Sequence, residues 1–233
     1  MLANDPANTN VELSRLYSNR FSDEERRRKE RIWQALCADF FQRYIRAGDT
    51  VLDVGAGYCE FINNIVCASK IALDLNEDTL RYAAADVRVV RCMSNAMRDI
   101  GDASVDVVFA SNFFEHLPSK EAFLQTLQEI RRVLRSGGRL LILQPNIRFL
   151  NGEYWDFLDH HIPLTDRTLV EALLCTGLRP VEVVPRFLPY TTKSRLPSHP
   201  ALVRLYLRVP LAQRLLGKQA WVVAVKPSDD VET

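Results

Sequence analysis

The sequence predicts an α/β fold in which a parallel sheet carries helices on both faces. Short apolar segments rich in Val, Ile and Leu alternate with helical segments from residue 50 onward, which is typical of such sheets. A glycine turn at Gly55 and Gly57 follows the first apolar segment. The chain of 233 residues fits one α/β domain of ordinary size.

About seven strands are expected, each a short apolar run between turn residues. They span residues 50–54, 70–75, 88–92, 105–111, 139–145, 178–184 and 220–226. Apolar residues at helical spacing and capping residues place helices between the strands. These helices are expected at residues 59–68, 77–84, 119–135 and 165–176. Ser136-Gly137-Gly138 is expected to end the third of them.

The remaining segments define the predicted organisation. Residues 1–46 are expected to form an N-terminal helical cap, 47–226 the main domain and 227–233 a polar tail. Two segments depart from the strand–helix alternation. Residues 146–164 are polar and aromatic, and residues 185–218 are rich in Pro, Arg and Leu.

Composition limits the class of protein. The net charge of +1 gives no global attraction for nucleic acid or for a membrane surface. We see no secretory signal and no apolar run of the roughly 20 residues that span a bilayer. The five cysteines include no C-x-x-C pair, which favours reduced thiols over disulfides or structural zinc. These observations predict a cytoplasmic protein without an integral membrane segment.

The segment VLDVGAGYCEF, residues 51–61, predicts a ligand site. It combines a buried strand, a tight glycine turn and the expected start of a helix, whose free N–H groups would face a polar ligand. A dinucleotide-binding fingerprint requires a third glycine at position 60, where this chain has Glu60. An NAD-dependent oxidoreductase is therefore disfavoured.

The D-x-G-x-G pattern at Asp53, Gly55 and Gly57 resembles the first motif of class I S-adenosylmethionine-dependent methyltransferases. That family commonly has a further glycine where this chain has Cys59. The resemblance extends over about residues 45–226 and is carried by later segments in the same order. These are Asp74, Met93–Ala96, Ser111–Leu117 and EIRRVLRSGGRLLILQPN. It implies a Rossmann-like class I methyltransferase sheet with the last strand antiparallel, and S-adenosyl-L-methionine as cofactor.

The resemblance also implies roles for particular residues. Asp74 would accept hydrogen bonds from both ribose hydroxyls, with helix capping as its alternative role. Asn95 stands near where the family often has an acid for the adenine amino group, and a plain loop role is its alternative. The predicted cofactor-binding residues are Asp53, Gly55, Ala56, Gly57, Asp74, Leu75, Ser94, Asn95, Ala96, Ser111 and Asn112. Tyr17 is a candidate aromatic lid.

Segment 146–164 concentrates titratable and aromatic side chains, and it is expected over the transfer site. We expect His160 or His161 to act as general base for O-methylation, with Asp156 or Asp159 as partner. A D-x-x-H-H metal site and a structural or substrate-contact role are the alternatives. No metal is assigned to the predicted site. His116 is expected to be a structural hydrogen-bonding residue.

The predicted activity is methyl transfer to a small molecule, with O-methylation of a saccharide or natural-product intermediate preferred. N- or C-methylation and a non-catalytic binding or scaffold domain are the alternatives. The sequence lacks the N-P-P-Y motif that would indicate a nucleic-acid substrate. The basic, apolar residues 185–218 fit a helical lid or a homodimer contact, a site for an anionic acceptor such as a nucleotide sugar or lipid-linked glycan, or a membrane surface.

Overall fold

A computed structural model of the chain describes residues 23–190 and 199–228. Its centre is one seven-stranded sheet. The strands are β1 (Thr50–Val54), β2 (Ser69–Leu73), β3 (Val87–Val90), β4 (Val105–Ser111), β5 (Leu134–Pro145), β6 (Arg179–Leu188) and β7 (Gln219–Val225). Their order across the sheet is β3-β2-β1-β4-β5-β7-β6, and β7 runs antiparallel to both of its neighbours while the other pairs are parallel. The predicted fold class is therefore confirmed.

Helices cover both faces of this sheet. They are α1 (Asp23–Asp39), α2 (Thr79–Tyr82), α3 (Lys120–Val133), α4 (Asp166–Cys175), α5 (Pro200–Arg208) and α6 (Pro210–Leu216). The hydroxyl of Ser119 caps α3, and Thr165 forms a capping box with Thr168 at the start of α4. Within the described residues, none of these helices is long and apolar enough to cross a membrane.

Alternation along the strands sends side chains into two separate cores. In β1, Leu52 joins the core under α3 and α4, whereas Val51 joins the core under α1. The core under α1 is rich in aromatic rings, and Phe61 stacks on Phe109 with ring centroids 3.7 Å apart. Residues of β5 and β7 contribute to both cores, so the sheet is buried on both faces.

The prediction of a helix at residues 59–68 is wrong. The segment makes a single 3-10 turn, Ile62–Asn64, and then becomes extended at Ile65. Asn63 instead bonds the end of α2 and the chain just after it, through Tyr82 O at 2.7 Å and the backbone N–H of Ala84 at 2.9 Å. Asparagine side chains that bond backbone groups compete with helix formation, which explains the loss. The glycine turn therefore has no helix N-terminus behind it.

Other boundaries also differ from the prediction. The expected helix at residues 77–84 shortens to α2, and α3 ends at Val133 rather than at 135. Because the chain enters β5 directly at Leu134, Ser136-Gly137-Gly138 lies within that strand and not at the helix end. The predicted sixth strand extends to Leu188. The candidate lid residue Tyr17 lies outside the described residues.

Candidate active site

A cavity of about 630 Å³ opens at the carboxyl ends of β1 and β4. The strand order reverses between these two strands, which is where ligands bind in open α/β sheets. Its walls come from the glycine turn, the residues after β4, segment 146–164, and the helices α1, α5 and α6. The cavity wall therefore contains residues from most of the segments in which the sequence predicted functional residues.

The glycine turn lines this cavity through Gly55, Ala56 and Gly57. The backbone N–H groups of Gly55 and Ala56 bond Leu73 O at the end of β2, at 2.8 and 3.2 Å. Gly57 has φ +51°, and no heavy atom lies within 4 Å of the position that a Cβ would take there. The backbone at Gly57 therefore faces open space that a ligand can fill.

Two other residues of the turn explain its sequence. A Cβ on Gly55 would lie 2.2 Å from Cδ2 of Phe113, so this position excludes any side chain. Cys59 has φ +60° and a buried side chain. Cys59 thus adopts the left-handed backbone that a glycine adopts readily, so the cysteine is accommodated here at a cost in backbone strain.

The carboxylates of Asp53 and Asp74 flank the turn. Asp53 lines the cavity, and its pKa is raised well above its usual value by burial first and then by the charges of Glu60 and Asp74. Asp74 accepts N–H groups from Gly57 at 2.7 Å and from Asn76 at 2.8 Å, and burial raises its pKa too. The backbone N–H of Leu75 also bonds Asp74, and Asp74 does not belong to the cavity wall. The buried carboxylate of Asp53 in that wall favours a cationic ligand.

The other predicted cofactor residues divide into two groups. Ser111 and Asn112 line the cavity, and Asn112 adopts φ +47° directly after β4. Ser94 is buried and shares a hydrogen bond of 2.9 Å with Thr126 of α3, while Asn95 donates to Gln125 at 3.0 Å. Leu75 is half-exposed, and neither it nor Ser94, Asn95 and Ala96 belongs to the cavity wall. Their predicted roles stay predictions.

His116 pairs with Asp159 at the cavity wall. Its Nδ1 lies 3.0 Å from the carboxylate of Asp159 and 3.1 Å from the backbone oxygen of the same residue. Since both neighbours are acceptors, Nδ1 carries the proton and Nε2 keeps the lone pair. Burial opposes the charged ring, but the hydrogen bond and the charges of Glu115 and Asp159 outweigh it and raise the pKa of His116.

His160 lies beside this pair, and the centroid of its ring is 5.0 Å from the centroid of the His116 ring. Its Nδ1 donates to Tyr154 O at 2.7 Å, so its Nε2 also keeps a lone pair. Glu115 is buried, accepts from Gln144 Nε2 at 2.9 Å, and has its pKa raised by burial. One oxygen or nitrogen of each of Glu115, His116 and His160 lies within 4.8 Å of the others.

This cluster revises the choice of candidate base. His161 is exposed, and its backbone N–H bonds Glu115 O at 2.8 Å. Asp156 is exposed as well, whereas Asp159 turns inward to His116. The sequence interpretation treated His116 as structural and therefore missed this pairing. The available signal was position, because Glu115 and His116 follow β4 at the same sheet edge as the glycine turn.

Helix α1 closes one side of the cavity. Arg28, Lys29 and Trp33 of this helix belong to its wall, and Lys29 pairs with Glu60 at 2.8 Å. Arg26 donates to the hydroxyl of Tyr82 at 2.7 Å, which ties the same helix to the last residue of α2. The described part of the predicted cap therefore spans the glycine turn rather than lying apart from it.

Comparisons with known proteins agree with this geometry. A family model described as a methyltransferase domain matches residues 52–142. An uncharacterized protein of Methanocaldococcus jannaschii is 31% identical over 49% of this chain and 50% of its own length. The chain thus spans about half the length of that relative. A demethylmenaquinone methyltransferase of Symbiobacterium thermophilum is 27% identical over 67% of this chain and 68% of its own.

Among solved structures, a methyltransferase of Archaeoglobus fulgidus has a TM-score of 0.63 and 21% identity, covering 84% of this chain and 94% of its own. The likeness to this solved structure shows a shared fold, whereas the match to a methyltransferase domain comes from the family model. Residues 52–142 therefore match a methyltransferase domain, and the sheet has the fold of S-adenosylmethionine-dependent methyltransferases. The cofactor of this methyltransferase family is S-adenosylmethionine, which carries a sulfonium and an ammonium group.

The residues present fit that cofactor. The open space beside Gly57 admits a ligand against the backbone, and the cavity volume is in the range of small-molecule sites. The buried carboxyl group of Asp53 has a raised pKa, and a cationic ligand beside it would lower that pKa. In this methyltransferase domain, Asp53 and Gly57 would hold the cofactor, and the ribose contact of Asp74 stays a prediction.

Proposed function

We propose that the chain transfers the methyl group of S-adenosylmethionine to a hydroxyl oxygen of a small acceptor. The observation that carries this proposal is the His116–Asp159 pair, held at 3.0 Å in the wall of the cavity that the glycine turn also lines. S-adenosylmethionine, when bound, supplies a methyl group made electrophilic by its sulfonium. The chain must then orient the acceptor, exclude water and accept one proton.

His116 suits the removal of that proton. With Nδ1–H committed to Asp159, its Nε2 would take the proton from the acceptor hydroxyl. The cofactor would supply the methyl group by cleavage of its sulfur–methyl bond and leave as S-adenosylhomocysteine. Asp159 stabilises the imidazolium that forms, because the carboxylate favours the charged ring. His160 is placed to orient the same hydroxyl, and Glu115 adds negative charge beside both rings.

The cavity wall indicates the kind of acceptor. Beyond the cofactor residues it is mainly apolar, with Leu143, Phe157, Leu188, Leu202 and Tyr206 among its members. An acceptor with a hydroxyl and an apolar portion suits these walls better than a free sugar. The preferred class is therefore a saccharide or natural-product intermediate that carries a hydrocarbon group, with a lipid-linked glycan as an example.

A second candidate is methyl transfer to a ring carbon of a reduced quinone. The relative named demethylmenaquinone methyltransferase favours it, and so do the apolar walls. This alternative shares the cofactor site, and removal of a hydroxyl proton from the reduced quinone would activate its ring carbon. The site of methylation on the product, oxygen or carbon, therefore separates the two candidates.

The experiment has two stages. Calorimetry with S-adenosylhomocysteine tests cofactor binding, and no detectable binding would favour a non-catalytic scaffold. Transfer of labelled methyl to panels of lipid-linked saccharides, phenols and quinones then tests the acceptor. His116→Ala is expected to abolish transfer to hydroxyl acceptors, with His161→Ala as the matched control. Equal activity of both variants would overturn the role given to His116.

A further inference from the structure

Helices α5 and α6 expose an unusual number of apolar side chains. The exposed residues are Leu202, Leu205, Val209, Leu211, Leu215 and Leu216. Scattered single leucines on a surface are ordinary, but six within fifteen residues form a patch. Leu202, Leu205 and Val209 also line the cavity, so the apolar surface continues from outside the protein into the site.

Helices α5 and α6, which carry this patch, are held to the rest of the protein by hydrogen bonds and an ion pair. Tyr206 donates to Phe187 O at 2.6 Å, and Arg186 donates to Leu215 O at 2.7 Å and to Gly217 O at 2.8 Å. Arg204 pairs with Asp39 of α1 at 2.7 Å. The opposite side of α5 packs on the aromatic core. The leucines therefore point outward on helices that are fixed to the body.

A second segment adds apolar side chains near the same cavity. Leu158 is 90% exposed and Trp155 is 60% exposed. They flank Phe157, which lines the cavity and contacts Tyr190 with ring centroids 6.0 Å apart. Phe157 of segment 146–164 and Leu202 and Leu205 of α5 thus line the same cavity, and each has exposed apolar neighbours in sequence. Tryptophan and leucine of this kind are typical of surfaces that insert into lipid headgroups.

The charges of this region identify the surface that it fits. Residues 185–218 contain seven Lys or Arg and no Asp or Glu, although the whole chain is nearly neutral. Arg208 and Arg214 are exposed on the two helices beside the leucines. A second copy of the chain is a poorer partner, since a two-fold contact would set this cationic face against itself. An anionic lipid surface complements both the charge and the apolar patch.

We propose that helices α5 and α6, together with Trp155 and Leu158, rest on an anionic membrane surface. This placement sets the opening of the cavity at the level of the lipid headgroups. An acceptor with a hydrocarbon portion would then pass from the bilayer along the exposed leucines into the site. Vesicle binding requires no catalysis, so the failure of this proposal and that of the proposed methyl transfer are distinguishable.

The test is co-sedimentation of the full chain with vesicles of phosphatidylcholine alone or of phosphatidylcholine with phosphatidylserine. We expect binding to the anionic vesicles at low salt and its loss at high salt. Leu211→Gln with Leu215→Gln should weaken binding about tenfold, and Arg208→Ser with Arg214→Ser about fivefold per arginine. Leu174→Gln is the matched control, because Leu174 is 60% exposed but belongs to α4 on the other face of the sheet.

Three results would overturn the proposal. The first is the absence of wild-type binding to anionic vesicles at low salt. The second is equal loss of binding in the Leu174→Gln control, since the effect would not be specific to the patch. The third is a dimer in sedimentation analysis that Leu211→Gln with Leu215→Gln converts to monomer without any change in vesicle binding. That result would assign the patch to a second copy of the chain.

Discussion

His116 and Asp159 come from loops 43 residues apart, and they meet with Nδ1 3.0 Å from the carboxylate. Their contact joins the end of β4 to segment 146–164 at the wall of the cavity. It gives the site a proton acceptor whose orientation and tautomer are both fixed.

The first prediction concerns pH. If neutral His116 accepts the proton, activity falls as pH drops through its pKa, which Asp159 holds above the ordinary histidine value. Asp159→Asn removes the main attraction for the charged ring, so the acidic limb of the kcat/KM profile should move to lower pH. The rate at high pH should also fall, because the ring loses its orienting partner. An unchanged limb in Asp159→Asn would contradict this role.

The second prediction concerns Asp53 and stability. Its folded-state pKa is raised, so the folded protein holds this proton to higher pH than the unfolded chain. Stability is therefore lost as pH rises from the unfolded pKa through the folded one, by about 1.4 kcal/mol per unit of pKa difference. Asp53→Asn should remove this loss and raise the melting temperature at neutral pH, while it weakens cofactor binding. Thermal unfolding at several pH values checks this, and a less stable variant at neutral pH would contradict it.

The third prediction separates backbone strain from ligand contact at the glycine turn. Gly57→Ala places a methyl group in open space, at a cost of about 1–2 kcal/mol for its positive φ. Gly152 has φ +84° with equally free surroundings, and Gly152→Ala is the matched control. Both variants should lose similar stability, but only Gly57→Ala should lose affinity for S-adenosylhomocysteine. Equal affinity of the two variants would place the cofactor elsewhere.

The fourth prediction concerns metal ions. Glu115, His116 and His160 span up to 4.8 Å, whereas ligands around a tetrahedral ion with bonds near 2.1 Å lie about 3.4 Å apart. This spread is wider than that geometry requires, so we expect activity to survive dialysis against a chelator. Loss of activity, with recovery on adding back a divalent ion, would assign these three residues to a metal site. Glu115→Gln would then abolish the recovery.

The sequence was sufficient for the sheet and the glycine turn because both depend on local patterns. The apolar run at 51–54 and the glycines after it predict a strand and a tight turn without knowledge of the rest of the chain. The helix predicted at 59–68 shows where local patterns are insufficient. The pattern of strand and glycine turn suggested that a helix follows, but contacts of Asn63 with the chain around Ala84 override it.

The candidate site was predictable only in part for a similar reason. Asp159 and His160 lie next to each other in sequence, yet Asp159 turns to His116 while His160 bonds Tyr154 O. Which histidine meets which carboxylate depends on how a loop folds over the sheet, and residue spacing does not encode this. The density of titratable groups in segment 146–164 located the region, and the structure supplied the pairing.

The most direct test is calorimetric titration of the full chain with S-adenosylhomocysteine, followed by the same titration of Gly57→Ala. We predict saturable binding to the wild-type chain and a clear loss of affinity in the variant. Absence of binding to the wild-type chain, together with binding of a nicotinamide dinucleotide, would contradict the assignment of this cavity to an adenosyl sulfonium cofactor.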